Sequence, residues 1–515
     1  MMRAWPATHA STMDLSDLIE RNAAFTPDKP AIRFPDRTLT FAALAERIAQ
    51  AARALKSRFG VGRGDRVAIL SANHPDYLVL LYACARLGAL LVPLNWRLAV
   101  PEQVFILSDA AVKVLVVEQG LAAVIPPLRQ ALPDVHVVGL DFAEGGLSFD
   151  DHLAGGSGDG RNPHVDFSSP LLIVYTSGTT GRPKGAVLRQ EALLWNAAMS
   201  QHLHGLSAAD HVLTVLPLFH VGGLNIQTTP ALQAGATVTL HPRFAPDTTL
   251  AALRDDKPTL TVLVPATIQA LIEHPGWRDT DVTSLRAVTT GSTVVPQPLI
   301  DAIEARGVPV LQVYGSTETC PIAVYTQLGA AAGRSNAAGL PGLHCEARIV
   351  DDDGHEVPHG TVGEVAVRGP NVFFEYWGNA AATREALHDG WYHTGDIGVR
   401  DADGYFHIRD RKKNMIISGG ENIYPAEVER VLNAHPAVME AAVIGRSDPR
   451  WQEVPVAYVV LRKDAVADAA TLIDHVSGEL ARFKVPRAIE FVPDLPRNAL
   501  GKVQHFKLRE MATEP

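Results

Sequence analysis

The sequence predicts a multidomain α/β fold, and three features of the chain support this prediction. Helical and strand patterns alternate from residue 15 to about residue 166, and again from residue 176 to about residue 326. Short β-rich segments with Asp-Gly turns follow Gly339, which indicates a small barrel or meander. The length of 515 residues corresponds to about three domains at roughly 150 residues each. We therefore expect a large N-terminal domain of layered α/β subdomains with a small β-barrel, followed by a small α+β C-terminal domain.

The individual elements are predicted from hydrophobic periodicity. Apolar positions recur at helical spacing over residues 41–58, and residues 66–70 form a short apolar strand. Further strands are predicted at residues 112–117, 135–140, 171–175, 260–264 and 308–313. The charged run RDRKK at residues 409–413 precedes a compact tail of about a hundred residues, a typical domain size. We place the domain boundary there, which gives residues 1–409, a junction at 410–413, and residues 414–515.

Composition and charge exclude several classes of protein. The chain is 47% hydrophobic and 20% charged, as in globular proteins. Its formal net charge of -10 argues against a general nucleic-acid binder, because phosphate backbones are bound by clustered Lys and Arg. The cysteines Cys84, Cys320 and Cys345 are too far apart for a CxxC-type metal site or an even disulfide framework, which fits a reducing cytoplasm. We expect a cytoplasmic protein with small-molecule ligands.

Two further expectations concern the membrane and the oligomeric state. The longest apolar run, residues 77–94, is interrupted by an arginine and a glycine, so we interpret it as buried helix rather than as a membrane span. We therefore expect no stable membrane insertion. For the oligomeric state we expect a monomer or a homodimer.

The clearest functional motif is TSGTTGRPKG, which directly follows the predicted strand 171–175. Its glycines let the backbone approach anionic oxygens, its hydroxyls add donors, and Lys184 adds a positive charge. It does not match the pattern G-x-x-x-x-G-K-[ST] of P-loop NTPases. The alternative is a solvated turn without a ligand. The candidate phosphate-binding residues are Thr176, Ser177, Gly178, Thr179, Thr180 and Lys184.

A second motif, YGSTET, begins at Tyr314 at the end of the predicted strand 308–313. Ligand sites in α/β sheets lie at the carboxyl ends of strands, where Tyr314 offers an aromatic face to a base and Glu318 an oxygen ligand to Mg²⁺. Gly315 and Thr317 belong to the same candidate site. Alone, this motif is also compatible with a structural turn.

Two later motifs contribute charged residues. Asp396 in the segment YHTGD can accept both hydroxyls of a ribose, and Arg411 can bridge to the same sugar or to a phosphate. Lys502, on a Gly-containing turn of the tail, could reach a carboxylate and an α-phosphate. The alternatives are a hairpin cap with a surface ion pair, and a solvated lysine.

Taken together, in this order and over nearly the whole chain, these motifs resemble the acyl-adenylate-forming superfamily. This superfamily includes acyl-CoA synthetases, firefly luciferase and the adenylation domains of peptide synthetases. The resemblance implies an ATP-dependent ligase that adenylates a carboxylic acid and then forms a thioester with coenzyme A. It also implies a mobile C-terminal domain that turns about a hinge at Lys413.

The resemblance assigns a role to each motif. Lys184 and the loop that begins at Thr176 would hold the β- and γ-phosphates, and Thr176 with Glu318 would serve Mg²⁺. The adenine would lie between Tyr314 and the turn at Gly291 and Ser292, while Asp396 and Arg411 would hold the ribose. Lys502 would contact the substrate carboxylate and the bridging oxygen during adenylation. The catalytic residues implied are Lys184, His220, Glu318 and Lys502.

The resemblance also implies sites for coenzyme A and for the acid. Gly419 and Gly420 would leave room for the pantetheine arm, Trp451 would pack on the nucleotide of CoA, and Arg97 would lie near its phosphates. The candidate acyl-binding residues are His220, Val221, Gly222, Asn225, Gly291, Val313 and Cys320, within a lining that also includes residues 218–223, 290–293 and 320–323. Because these walls are mostly apolar, we expect an aromatic or medium-chain aliphatic acid.

Two other readings remain open. The acceptor could be the thiol of a carrier protein, or oxygen as in luciferases, instead of free coenzyme A. A nucleotide-binding protein with decayed activity would bind ATP without releasing pyrophosphate.

Overall fold

The computed structural model describes residues 13–176, 183–291, 295–329, 337–418, 421–497 and 503–513. These residues form two large sheets with helices around them, an antiparallel meander, and a C-terminal α+β unit. The predicted multidomain α/β class is confirmed.

The first sheet contains the strand that leads into the TSGTTGRPKG motif. Its central strands are parallel, while Lys184–Arg189 runs antiparallel to Pro170–Thr176 and closes a hairpin around the motif. In spatial order its strands are Glu375–Tyr376, Lys184–Arg189, Pro170–Thr176, Leu90–Leu94, Arg66–Leu70, Val114–Val117 and His136–Gly139.

The second sheet contains the strand that leads into the YGSTET motif. Parallel pairing places Ala287–Gly291 beside Val310–Tyr314, so the carboxyl ends of these two strands meet at one edge. In spatial order its strands are Leu340–Pro341, Val324–Tyr325, Val310–Tyr314, Ala287–Gly291, Leu260–Val262, His211–Thr214, Thr237–Leu240, Pro30–Phe34 and Arg37–Thr40.

The largest core lies between these two sheets. The helix Pro75–Leu87 is buried along its whole length, and the helix Phe41–Phe59 buries residues at helical spacing such as Leu44, Ile48 and Leu55. Strand residues from both sheets pack into the same core. The α-helices of the N-terminal part are Leu15–Phe25, Phe41–Phe59, Pro75–Leu87, Val100–Asp109, Ile125–Ala131, Phe149–Ala154, Gln190–His204, Val221–Gly223, Thr229–Gln233, Pro246–Asp255, Pro265–Ile272, Gln297–Glu304 and Ala380–Ala386.

Shorter helical segments connect these elements. The segment Leu224–Thr228 is a π-helical turn. The 3₁₀ turns are Gln119–Val124, Pro275–Trp277, Thr317–Thr319, Lys412–Asn414 and Arg482–Lys484.

Beyond Gly339 the strands form an antiparallel meander. The antiparallel strands Glu346–Val350, Val362–Arg368, Trp391–Arg400 and Phe406–Arg411 pair in sequence order, and Leu387–His388 pairs with Trp391–Arg400. In this sheet Trp391–Arg400 pairs with Val362–Arg368 and also with both Leu387–His388 and Phe406–Arg411. The Asp-Gly turns are confirmed, with positive φ at Gly354, Gly390 and Gly404.

The C-terminal unit is built on an antiparallel hairpin. The long strands Val438–Asp448 and Gln452–Leu461 pair with each other and bury the helix Pro425–Asn433 on one side. The remaining elements are the strands Ile416–Ser418, Glu421–Ile423 and Ala488–Phe491 and the helices Ala469–Glu479 and His505–Thr513.

Several predicted bounds need correction. The run 77–94 is not one buried helix, because Gly88 adopts φ +69, ends the helix at Leu87 and lets the strand Leu90–Leu94 begin. The predicted strand 112–117 begins only at Val114, since Ala111 is left-handed at φ 46. The strands predicted at 135–140, 260–264 and 308–313 are observed at His136–Gly139, Leu260–Val262 and Val310–Tyr314.

Candidate functional site

The two ends of the TSGTTGRPKG loop face each other across a hairpin. Thr176 and Lys184 are register partners, and the Thr176 hydroxyl donates to the Lys184 carbonyl at 3.4 Å. The Lys184 ammonium lies 5.3 Å from the centre of the Tyr376 ring, within range of a cation–π contact. The hairpin therefore positions a cation at the start of the strand Lys184–Arg189.

Glu318 is buried and contacts the same tyrosine, Tyr376. It lies on the 3₁₀ turn Thr317–Thr319, just after the strand Val310–Tyr314, and its Oε1 accepts a hydrogen bond from the Tyr376 hydroxyl at 2.8 Å. Burial and the nearby Glu318 carboxylate raise the pKa of Tyr376, so the phenol stays a neutral donor. Because a carboxylate has two oxygens, Glu318 can hold this contact and still offer an oxygen to a cation, so the site fits Mg²⁺.

Tyr314, Asp396 and Arg411 form a second cluster. The two Asp396 carboxylate oxygens accept from the Tyr314 hydroxyl at 2.8 Å and from the Arg411 Nε at 2.6 Å. Burial disfavours the Arg411 cation, but Asp396 and the other acidic groups around it together outweigh this cost and raise the pKa of Arg411. Burial, reinforced by Asp396, raises the pKa of Tyr314. The structure thus brings together three residues that are far apart in sequence.

The group around Glu318 and the group around Asp396 are neighbours. The Phe373 ring contacts Tyr376 at 4.7 Å and Tyr392 at 5.4 Å between centroids. Tyr392 in turn lies 3.5 Å from the Ser316 hydroxyl, on the turn that carries Glu318. Lysine and arginine side chains and two carboxylates therefore surround the carboxyl end of the strand Val310–Tyr314. This arrangement can bind a phosphorylated nucleotide, with cations for the phosphates and a carboxylate for hydroxyls.

The turn after Tyr314 is tightly packed. A Cβ at Gly315 would lie 1.7 Å from the Pro321 carbonyl oxygen and 2.6 Å from the Thr319 hydroxyl. Thr317, the next predicted residue, is buried. Only glycine therefore fits between the strand and the loop that follows the 3₁₀ turn.

The candidate acyl-binding residues come from three segments. Val221 is buried and Gly222 donates its backbone N–H to Nδ1 of His220 at 3.2 Å, which caps the short helix Val221–Gly223. The Asn225 amide contacts the Cys320 thiol at 3.5 Å. Burial raises the pKa of this thiol, so it stays neutral.

Gly291 and Val313 are register partners on adjacent parallel strands. Val313 is buried, and Gly291 ends its strand at the edge where Tyr314 begins the second motif. The acyl-side and nucleotide-side residues therefore meet at the carboxyl ends of these two strands.

The two candidate CoA-binding side chains lie in different surroundings. The Arg97 guanidinium lies 4.9 Å from the Trp96 ring and 5.9 Å from the ring of Phe219, the residue that precedes His220 in the sequence. Burial, and the nearby Arg243, lower the pKa of Arg97. The half-buried Trp451 stacks with Arg450 at 4.9 Å. The CoA assignments stay predictions.

Some candidate residues lie outside the described part of the chain. They are Ser177, Gly178, Thr179, Thr180, Ser292, Gly419, Gly420 and Lys502, together with the side chain of Lys413. Their roles stay predictions.

The sequence reasoning missed Tyr376. This residue reaches Glu318 because the strand Glu375–Tyr376 pairs with Lys184–Arg189, nearly two hundred residues earlier. No local pattern around it marks a ligand site. Tyr392, by contrast, is the first residue of the YHTGD segment, so its proximity to the site could have been inferred from that motif.

Comparison with known proteins decides the family. The sequence matches the AMP-binding enzyme family over residues 19–377 and the C-terminal domain of AMP-binding enzymes over residues 427–502. The chain belongs to the AMP-binding enzyme family. It is 51% identical over 501 residues to an indoleacetate–CoA ligase of Aromatoleum aromaticum, covering 97% of this chain and 98% of the relative. It is 40% identical to a feruloyl-CoA synthase of an Amycolatopsis species, covering 95% and 97%.

Solved structures agree with this membership. A crystal structure of an anthranilate CoA ligase in complex with anthranoyl-AMP matches with a TM-score of 0.90 and 31% identity, covering 98% of each chain. The resemblance to the acyl-adenylate-forming superfamily is thereby confirmed. So is the prediction of an ATP-dependent acid–CoA ligase that works through an acyl-adenylate.

Among the described residues, the helices are all too short or too polar to cross a bilayer. The cytoplasmic location and the monomeric or homodimeric state stay predictions.

Proposed function

We propose that this AMP-binding enzyme activates an aromatic carboxylic acid with ATP and Mg²⁺ and transfers the acyl group to coenzyme A. The observation that carries the nucleotide part is the pair of clusters around Glu318 and Asp396. The aromatic preference is supported by relatives named for indoleacetate, ferulate and anthranilate. It is also supported by the buried, uncharged side chains of Val221, Val313 and Cys320.

The adenylation step joins two anions, so the site has to supply positive charge. Lys184 would hold the phosphates, and Mg²⁺ bound at Glu318 and Thr176 would neutralise part of their charge. Asp396, held by Arg411 and Tyr314, would accept the ribose hydroxyls and fix the nucleotide. Lys502 would approach the carboxylate from the C-terminal domain, and His220 would lie on the acyl side.

For thioester formation we propose that residues 414–515 rotate as a domain relative to residues 1–409. The junction 410–413 coincides with the end of the strand Phe406–Arg411 and the start of the 3₁₀ turn Lys412–Asn414. The Asp410 carboxylate accepts the backbone N–H of Ala426 at 2.9 Å, which joins the junction to the C-terminal unit. Rotation about Lys413 would withdraw Lys502 and bring Gly419 and Gly420 to the site, with Trp451 and Arg97 available to CoA.

A pyrophosphate-release assay across acids tests the substrate class. The set should include arylacetic, cinnamic and benzoic acids, medium-chain fatty acids and dicarboxylic acids, each with and without CoA, with product masses determined. We expect aromatic acids to be turned over best and to give acyl-CoA. Turnover of dicarboxylates alone would refute the substrate class, and acyl-AMP that accumulates whether or not CoA is added would refute CoA as acceptor. ATP binding without pyrophosphate release would indicate decayed activity.

Two variants test the rotating domain. We expect Lys502→Ala to abolish adenylation while thioester formation from supplied acyl-AMP continues, and Gly420→Leu to do the reverse by filling the pantetheine channel. Lys507→Ala, on an exposed lysine of the helix His505–Thr513, is the matched control and should leave both steps unchanged. Equal loss of both steps in Lys502→Ala and Gly420→Leu would contradict the rotation.

A further inference from the structure

Three neighbouring strands carry residues of the proposed phosphate site, and side chains alternate between the two faces of these strands. On one face, Thr176 is the register partner of Lys184, and Tyr376 pairs with Ala186, two residues further along the same strand. The Lys184 ammonium lies 5.3 Å from the centre of the Tyr376 ring, which agrees with a shared face. The residues between these positions therefore point to the opposite face.

The opposite face carries a second row of residues, which we call the back row: Tyr175, Gly185 and Trp377. Tyr175 is the register partner of Gly185, and the Trp377 backbone N–H donates to the Gly185 carbonyl at 2.7 Å. A Cβ at Gly185 would lie 3.1 Å from Cζ of Tyr175. The Tyr175 ring therefore packs directly on Gly185, where a larger residue would displace it.

Asp109, outside these three strands, contacts the back row twice. It is the last residue of the helix Val100–Asp109. Its carboxylate accepts a hydrogen bond from the Tyr175 hydroxyl at 2.5 Å, and its backbone carbonyl accepts one from Nε1 of Trp377 at 3.1 Å. Burial and the Asp109 carboxylate raise the pKa of Tyr175, so the phenol stays a neutral donor. Asp109 thus joins two of the three strands from behind.

An aspartate at this position is unfavourable for the helix itself. The last carbonyl groups of a helix carry partial negative charge, which disfavours an acidic side chain there. The last turn of Val100–Asp109 contains no basic side chain that would offset this repulsion. Helix formation therefore does not explain the carboxylate, whereas the tertiary contact with Tyr175 does.

We propose that Asp109 is a positioning residue for binding of the ATP triphosphate. By holding Tyr175 and Trp377, it fixes the strand ends that present Thr176 and Tyr376 on the other face. This inference rests on the proposed ATP-dependent ligase function. An acyl-adenylate has no β- or γ-phosphate, so it does not need the phosphate-binding residues. Asp109 therefore affects adenylation and leaves thioester formation from acyl-AMP unchanged.

The test measures the two half-reactions separately in Asp109→Ala and Tyr175→Phe, with the acid that the wild-type enzyme turns over best. Tyr175→Phe removes only the hydroxyl and keeps the ring that packs on Gly185. With varied ATP and saturating acid, we expect kcat/KM for ATP in pyrophosphate release to fall about fivefold in each variant, the effect of one ordinary hydrogen bond. Thioester formation from supplied acyl-AMP and CoA should keep the wild-type rate.

Two further variants distinguish loss of the hydrogen bond from loss of charge. Asp109→Asn keeps an oxygen that can accept from Tyr175, so its kcat/KM for ATP should lie closer to the wild-type value than that of Asp109→Ala. The double variant Asp109→Ala/Tyr175→Phe should lose no more than either single variant, because both changes remove the same hydrogen bond.

A matched control removes the same side chain from another helix end. Asp255 is the last residue of the helix Pro246–Asp255, which like Val100–Asp109 has 10 residues. Its carboxylate pairs on the surface with Arg254 at 2.7 Å. Asp255→Ala should keep the wild-type kcat/KM for ATP.

Each contrary result has a distinct meaning. Unchanged kcat/KM for ATP in Asp109→Ala and Tyr175→Phe, additive losses in the double variant, or an equal loss in Asp255→Ala would overturn the inference while the ligase function stands. A parallel loss of both half-reactions with a lower melting temperature would also overturn it alone, since that pattern reports damage to the fold. A wild-type enzyme that releases no pyrophosphate with any acid would overturn the proposed function and this inference together.

Discussion

The hydrogen bond from Tyr376 to Glu318 should be needed for nucleotide activation. Tyr376→Phe removes only the hydroxyl and keeps the ring that faces Lys184 and packs on Phe373. A hydrogen bond to a charged group is worth about 1.5–3 kcal/mol. If Glu318 holds its position only through this 2.8 Å contact, the loss corresponds to roughly a 10- to 150-fold decrease in kcat/KM for ATP.

The assay varies ATP at saturating acid and follows pyrophosphate release. We expect the decrease in kcat/KM for ATP, with a stronger requirement for Mg²⁺ and little change in KM for the acid. Tyr77→Phe is the control, since Tyr77 is a buried tyrosine like Tyr376 but its hydroxyl has no partner among the described residues. Thermal unfolding of both variants measures the cost to the fold. If the two variants have the same kcat/KM for ATP, the role assigned to Tyr376 is wrong.

Two further predictions concern stability. Burial lowers the pKa of His204 to about 4 in the folded protein, compared with about 6.5 in the unfolded chain. Because the unfolded chain binds the proton more tightly, the stability of the fold decreases as the pH drops from about 6.5 towards about 4. The free energy of unfolding should fall by roughly 3 kcal/mol at pH 4, measured by urea unfolding. The variant His204→Gln should be less stable at pH 7 but show a flatter dependence of stability on pH. An equally steep dependence in the variant would contradict this prediction. The variant Gly315→Ala should unfold at a markedly lower temperature or fail to fold, because its Cβ would lie 1.7 Å from the Pro321 carbonyl oxygen. An unchanged melting temperature would contradict the packing described for this turn.

The sequence predicted the order of elements because hydrophobic periodicity is local. The helix expected at residues 41–58 is observed at Phe41–Phe59, and the strand 66–70 is observed at Arg66–Leu70. Bounds were less accurate where turn geometry decides them. The strand expected to reach residue 264 stops at Val262, because Val264 is already the N-cap of the helix Pro265–Ile272.

The site residues show the same contrast between those that lie in short sequence motifs and those that are placed by long-range strand pairing. Tyr314, Glu318, Asp396 and Arg411 were identified because each lies in a short motif, and the structure brings all four to one edge of the second sheet. Tyr376 was missed because its position depends on strand pairing across a long stretch of chain. Such contacts depend on tertiary structure, which a single sequence does not specify by pattern.

The different hydrogen-bond partners of Asp396 and Glu318 explain why these two similar carboxylates can bind different ligand groups. Asp396 is paired with the Arg411 cation, so its charge is largely balanced and its oxygens suit neutral hydroxyls, such as those of a ribose. Glu318 is held by a phenol whose raised pKa keeps it neutral, so the negative charge of Glu318 is not balanced by Tyr376. A buried carboxylate favours nearby cations: Lys184 lies on the same Tyr376 ring, and the Arg411 cation is also within electrostatic range of Glu318. This difference in local partners favours our proposal that Glu318, rather than Asp396, would hold Mg²⁺.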